Sequence, residues 1–164
     1  MKTFHKAVLP RTARLDVDRL DAFEPTAGLP RRFFYGTFPP MKRFAIIGTG
    51  AVGGYYGALL QRAGFDVHFL LHSDYEFVKA NGLTVESVNG DFRLPQVNAY
   101  TDPQQMPRCD VVIVALKTTA NHQLKTVLPP VLKDDGIVLT LQNGLGSEEE
   151  IAAIAGSGRV LGGL

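Results

Sequence analysis

Only one of the 164 residues is a cysteine, Cys109. That excludes an intramolecular disulfide framework and a cysteine-built metal site, and no metal is expected. The cysteine itself reads as a small residue ahead of a buried strand. Charge of one sign is also lacking. Seventeen Lys and Arg stand against sixteen Asp and Glu, a formal net charge of +1. This removes the electrostatic reason to expect nucleic acid or a membrane surface as a partner. No apolar run approaches the ~20 residues needed to span a bilayer, and the first residues lack the apolar core of a secretory signal. A cytoplasmic, reducing setting is the resulting expectation. With 45% hydrophobic and 20% charged residues, the composition is that of an ordinary globular chain, and the length suits one domain with a tail.

Residues 1–40 are the tail. They mix seven Lys/Arg with four Asp/Glu, carry five prolines and show no sustained hydrophobic period. A short helix over 15–23 fits the pattern but has no evident partner. Arg11, Arg14 and Arg19 would suit a transit peptide, whereas Asp16, Asp18, Asp21 and Glu24 argue against one. The expectation is a poorly ordered extension, followed by a domain over 41–164. Met41 is a candidate natural start, because "MKRFAIIGTG" leads directly into the first strand.

From residue 43 onward, strand and helix patterns alternate. "RFAIIG" is a short apolar run suited to a parallel strand buried on both faces. A helix follows over 51–63, with Gly64 as its stop, and "DVHFLL" at 66–71 is strand two. "SDYE" at 73–76 fits a capping box led by Ser73, opening a helix that ends near Asn81. "LTVESVNGDFRLPQV" reads as a small hairpin turned at Asn89-Gly90. "DVVIVAL" at 110–116 is a central strand, with a helix expected over 119–127. Pro129-Pro130 breaks the helical pattern, with room for a short restart. "GIVLTL" at 136–141 is the next strand, "SEEE" at 147–150 repeats the capping pattern, and "RVLGGL" begins a sixth strand. The alternation specifies an α/β fold, a Rossmann-like doubly wound parallel sheet with a small β-hairpin insertion.

Chemistry concentrates at the strand ends. Gly48, Gly50 and Gly53 form a G-x-G-x-x-G turn between a predicted strand and a predicted helix. Gly48 permits the tight turn, Gly50 the approach of a pyrophosphate, and Gly53 close packing of helix on strand. Helical N–H groups just after the turn then face the phosphate charge. Gly54 and Gly57 extend the run, and a helix keeping that many glycines needs close approach to offset their ~1 kcal/mol penalty each. Strand two ends in Leu71, His72 and Ser73, where an NAD-binding fold usually carries an acid. Asp74 is near, but acids are common in a first helical turn for dipole reasons alone. His72 and Ser73 can donate to a 2′-phosphate, so the balance favours NADP (as NADPH) over NAD. Lys117 follows the fourth strand and Asn143 the fifth. A lysine there can bond ribose hydroxyls or a carboxylate, and an asparagine amide both donates and accepts. Taken singly, Lys117 reads equally as a solvated cation and Asn143-Gly144 as a turn.

"IIGTGAVGGYYG", "VALKTTAN" and "LQNGLGSEE", in this order and spacing, resemble the N-terminal domain of the ketopantoate reductase family, the 2-dehydropantoate 2-reductases. The resemblance runs from Lys42 to Leu164. It implies NADPH-dependent reduction of 2-dehydropantoate to pantoate, on the route to pantothenate and coenzyme A, with a small 2-oxo acid as the partner molecule. It implies that Gly48, Thr49, Gly50, Ala51, Val52 and Gly53 bind the pyrophosphate, and that Lys117 contacts the nicotinamide-side ribose. Asn143 would border both cofactor and substrate. The family often has an arginine after strand two for the 2′-phosphate, and here His72 holds that position. The family's helical second domain, which carries its proton-donating lysine, is absent from this sequence, so the catalytic acid is unassigned and the chain alone is expected to be inactive. A homo-oligomer of the full-length enzyme stays open. Two alternatives stand beside this reading: a reductase of another 2-oxo acid, and a non-catalytic nucleotide-sensing module that uses the N-terminal extension as its partner contact.

Overall fold

The structure, a computed structural model, describes residues 42–163. The extension over 1–40, its candidate helix at 15–23 and Met41 lie outside the described residues. The chain enters at β1 (Arg43–Ile47), turns into α1 (Ala51–Arg62) and returns as β2 (Asp66–Leu70). Next come α2 (Tyr75–Asn81), the strands β3 (Leu83–Val85), β4 (Phe92–Leu94), β5 (Asn98–Tyr100) and β6 (Cys109–Val114), and the single turn α3 (Leu124–Val127). The described chain closes with β7 (Leu132–Thr140), α4 (Ser147–Ala155) and β8 (Val160–Gly162).

Six strands form one sheet in the order β5-β2-β1-β6-β7-β8, and every neighbouring pair is parallel. The sheet grows outward from β1 in one direction and from β6 in the other, so its order reverses between them. That reversal is the topological switch point of a doubly wound sheet, with its crevice at the carboxyl ends of the strands. β3 and β4 pair antiparallel as a separate two-stranded sheet, the expected hairpin insertion.

Alternation along the central strands sends side chains to two cores. Ala45 and Ile47 of β1, with Val112 and Val114 of β6, pack with Leu124, Leu128 and Ile151 on the face covered by α3 and α4. Ile46, Val67, Phe69 and Ile113 pack on the other face with Ala58 of α1 and Val78 of α2. Helix α1 reaches the sheet through its glycines. A β-carbon on Gly57 would stand 2.5 Å from Phe69 Cε1 and 2.8 Å from Ile46 Cγ1. At that position the helix trades its own stability for contact.

Several local expectations are corrected. The helix expected over 119–127 is instead a 3₁₀ segment, Thr118–Gln123, followed by the one turn of α3. No helix restarts at Pro129-Pro130, and a turn feeds β7 directly at Leu132. β7 begins four residues earlier than the apolar run suggests, because its first residues form an irregularity. Pairing jumps from Cys109–Leu132 to Val111–Ile137. Arg159 pins the displaced backbone, donating to Gly136 O at 2.7 Å, to Lys133 O, and to Ala155 O of α4 at 3.1 Å. The hairpin joins β3 to β4 through 86–91 rather than a two-residue turn, closed by Ser87 N–H donating to Asp91 Oδ1 at 2.8 Å. Neither capping box forms. α2 starts after Asp74, and Ser73 Oγ donates to Asp74 Oδ1 at 3.3 Å instead of capping. At α4 the N-cap is Gly146, in a left-handed conformation.

The amino ends of the strands are closed by paired charge. Arg43 Nε donates to Asp66 Oδ2 at 2.9 Å, its backbone N–H to Asp110 Oδ2 at 2.8 Å, and Lys133 Nζ to Asp110 Oδ1 at 2.9 Å. Cys109 is fully buried and burial pushes its thiol up to about 12, the inert role expected of it. His68 is also buried there, its Nδ1 3.1 Å from the Tyr100 hydroxyl and its Nε2 3.0 Å from Asp66 Oδ1. Desolvation outweighs the neighbouring carboxylate and lowers the imidazole from its ordinary 6.5. As pH falls through 6.5 the unfolded chain therefore takes up a proton that the folded chain refuses, and stability drops until the folded imidazole also titrates. Urea unfolding at pH 7.5 and 5.5 is expected to show this loss, and His68→Gln to reduce it. The Asp66 and Asp110 carboxyls, held below 3.8 chiefly by Arg43 and by Lys133 respectively, act only at lower pH.

Candidate functional site

The carboxyl edge of the sheet is assembled by close backbone contacts. Gly48 leaves β1 at φ +95°, and a β-carbon there would lie 2.5 Å from Leu116 N and 2.6 Å from the carbonyl carbon of Ala115. The glycine turn is thus pressed onto the tip of β6, across the switch point. Gly53, one turn into α1, is equally confined, since its β-carbon would stand 2.2 Å from Gly48 O. Gly50 differs: among the described residues nothing lies within 4 Å of the β-carbon it lacks. Gly48 and Gly53 therefore serve the fold, and Gly50 leaves space in front of the turn.

Unpartnered donors follow directly along the chain. The first intrahelical bond of α1 runs from Gly54 N–H to Gly50 O at 2.8 Å, so the N–H groups of Ala51, Val52 and Gly53 have no partner within the helix. With the positive end of the helix dipole behind them, they suit a phosphate. A missing β-carbon opening onto three such donors fits the pyrophosphate of a dinucleotide. The Thr49 side chain has a second, structural task. Its hydroxyl donates to Leu70 O at 3.0 Å, tying the turn to the end of β2.

The backbone ladder continues past the strands and sets the height of the neighbouring tips. Ala115 N–H donates to Ile47 O at 2.8 Å, Leu141 N–H to Val114 O at 2.8 Å, and Leu71 N–H to Tyr100 O at 2.7 Å. His72 stands exposed just beyond β2. Ser73 is exposed beside it, its hydroxyl directed to Asp74. Lys117 and Asn143 are exposed beyond β6 and β7. Their loops touch, because a β-carbon on Gly144 would come 3.4 Å from Thr118 Cγ2. The structure thus sets all the expected site residues on one edge.

Gln142 is a structural member of this edge that the sequence reading missed. It is buried between the two tips, its Nε2 donating to Leu116 O at 2.9 Å and to Asn121 Oδ1 at 2.7 Å. Asn121 Nδ2 in turn donates to Glu150 Oε2 of α4 at 2.7 Å. This chain of bonds locks the backbone on either side of Lys117 and Asn143. The only signal in the sequence was a polar residue directly following the apolar run of β7. Chemically, the edge offers an anion cradle at the switch point, an imidazole at one side, and an ammonium and an amide at the other.

Comparison with known proteins agrees with this geometry. The family described as Ketopantoate reductase PanE/ApbA matches residues 44–164. The 2-dehydropantoate 2-reductase of Nostoc sp. is 67% identical over 123 residues, covering 75% of this chain and 39% of that protein. That of Aquifex aeolicus is 31% identical over 120 residues, 73% of this chain and 37% of the relative. The crystal structure of the 2-dehydropantoate 2-reductase from Geobacter metallireducens superposes with a TM-score of 0.73 at 52% identity, over 74% of this chain and 40% of that one. The chain spans about two fifths of the length of these relatives. With a switch-point glycine turn, the Lys117 and Asn143 tips and this match in hand, the chain belongs to the ketopantoate reductase family.

Proposed function

We propose that this chain holds a nicotinamide dinucleotide on the carboxyl edge of its sheet, NADPH in preference to NADH, as the nucleotide-binding part of a reductase of 2-dehydropantoate to pantoate. The observation that carries this reading is the glycine turn at the switch point, open at Gly50 and fronted by the N–H groups of Ala51, Val52 and Gly53. The substrate comes from the relatives, which bear the name 2-dehydropantoate 2-reductase. The preference for NADPH rests on the end of β2. His72 stands where a carboxylate would accept from the ribose of NAD and repel a 2′-phosphate.

In this reading, Gly48 to Gly53 surround the pyrophosphate, and His72 and Ser73 serve the 2′-phosphate. Lys117 donates to the nicotinamide-side ribose, while Asn143 contacts both cofactor and 2-oxo acid. The bound nicotinamide supplies the hydride. What this chain supplies is position: the Gln142 bonds fix the heights of Lys117 and Asn143. Reduction also needs a proton at the carbonyl oxygen as hydride arrives, and general acid help is typically worth ~10²–10⁴-fold. With Lys117 assigned to binding, the proposed edge holds no dedicated donor, and the chain alone binds nucleotide but turns over little.

Parallel titrations with NADPH and NADH at low and moderate salt test the proposal. NADPH is expected to bind more tightly and more salt-sensitively, and His72→Ala to weaken it tenfold or more, as loss of one hydrogen bond to a charged phosphate, about 1.5 kcal/mol or more, would. Equal affinity for both nucleotides would remove the NADPH preference.

A further inference from the structure

The segment joining β7 to α4 has features that pyrophosphate binding does not use. Leu145 is fully exposed, at 105% of its reference area. It stands between two glycines at positive φ, Gly144 at +129° and Gly146 at +87°. Neither glycine is wedged in place among the described residues: a β-carbon on Gly146 meets nothing there within 4 Å, and one on Gly144 meets only Thr118 Cγ2, at 3.4 Å. Both have the freedom to change conformation that glycine alone provides. Ser147, the first residue of α4, is 2% exposed, and its Oγ is buried without a hydrogen-bond partner among the described residues. Buried hydroxyls are seldom left so, because the lost hydration is not replaced.

The sequence holds a remedy for that hydroxyl. If α4 began one residue later, Ser147 would become its N-cap and accept from the Glu150 N–H. As observed, that N–H donates to Gly146 O at 3.1 Å, and the Glu150 carboxylate is engaged by Asn121. Shifting the start by one residue takes Ser147 out of the helix, breaks the bond to Gly146 O, and lets the backbone at Gly146 turn and swing Leu145. The segment follows Asn143 directly and lies against Thr118, next to Lys117, so it borders the nicotinamide side of the proposed site.

We propose that residues 143–147 form a two-position segment whose second position lays Leu145 on the nicotinamide half of a bound dinucleotide while Ser147 caps α4. This rests on the nucleotide-binding reading above. Leu145 is then a contact residue that dries the reacting face, which hydride transfer favours, and the free chain holds the position that leaves the Ser147 hydroxyl without a partner.

Amide hydrogen exchange of the chain with and without saturating NADPH, together with Leu145→Ser and Ser147→Ala, tests the proposal. NADPH is expected to slow exchange across 144–150. Leu145→Ser should weaken NADPH about tenfold, the order expected for losing a buried leucine contact, while leaving the melting temperature of the free chain unchanged. Ser147→Ala should show opposite signs in its two readouts, raising the melting temperature of the free chain and weakening NADPH several-fold. NADPH binding with unchanged exchange over 144–150, or full affinity in Leu145→Ser, would overturn the two-position segment and leave the nucleotide site standing. Absence of NADPH binding to the unmodified chain would overturn the nucleotide site and this segment with it.

Discussion

Gly53→Ala is expected to destabilise the chain by about 3 kcal/mol or more, at the upper end of what overpacking costs. The added carbon would stand 2.2 Å from Gly48 O, with Ala115 Cβ and Ile46 Cγ2 each at 3.1 Å. The first of these is backbone, and it cannot move without displacing the turn that Gly48 makes against β6. Gly50→Ala provides the contrast. Gly50 sits at φ −87° and ψ −160°, open to any residue, and its β-carbon meets no atom of the described residues within 4 Å. Its cost to the fold is that of a poorer N-cap, about 1 kcal/mol at most. Its cost to binding is larger, because the methyl occupies the approach to the Ala51–Gly53 donors, and NADPH affinity should fall tenfold or more, about 1.4 kcal/mol. Urea unfolding and NADPH titration of both variants check this separation. A Gly53→Ala protein as stable as the parent would contradict the packing account.

Gln142→Leu is expected to cost about 2–3 kcal/mol, although leucine is close to glutamine in size. The loss is of partners: Leu116 O and Asn121 Oδ1 both lose the donor they share, in a site with little water to replace it. Because those bonds hold the tips of β6 and β7 together, nucleotide affinity should fall as well, without any direct contact between Gln142 and the ligand. A double-mutant cycle with Asn121→Ala separates this from simple loss of stability. The two changes share one bond and should be less than additive. Additive effects in unfolding and binding alike would show that the two side chains act independently.

Much of this edge is legible in the sequence for a simple physical reason. β1 and β6 are buried on both faces, so their apolar runs announce them, and only glycine fits at Gly48 and Gly53, where backbone meets backbone. Lys117 and Asn143 are polar residues close behind apolar strands, and the sheet topology alone puts them on one edge. β5 was not legible. Asn98–Tyr100 is three residues at the sheet border, exposed or half-buried, with no apolar run to mark it. The capping pattern at α4 misled because local sequence cannot see distant competing partners: Glu150 is engaged by Asn121, 29 residues away, whereas Ser73 at α2 turns to its neighbour Asp74. Gln142 was hidden for the same reason, its two partners lying 26 and 21 residues back along the chain. The residues proposed to contact a ligand sit at tips and can be read. Those that hold the tips in place depend on neighbours only the fold supplies.

The most direct test of the central claim is an amide NMR titration of the chain with NADPH. The account predicts the largest shifts at the Gly48–Gly53 turn, with smaller shifts at His72, Lys117 and Asn143 and none at the amino ends of the strands around Asp66 and Asp110. Binding that leaves the glycine turn unshifted, or no binding at all, would contradict it.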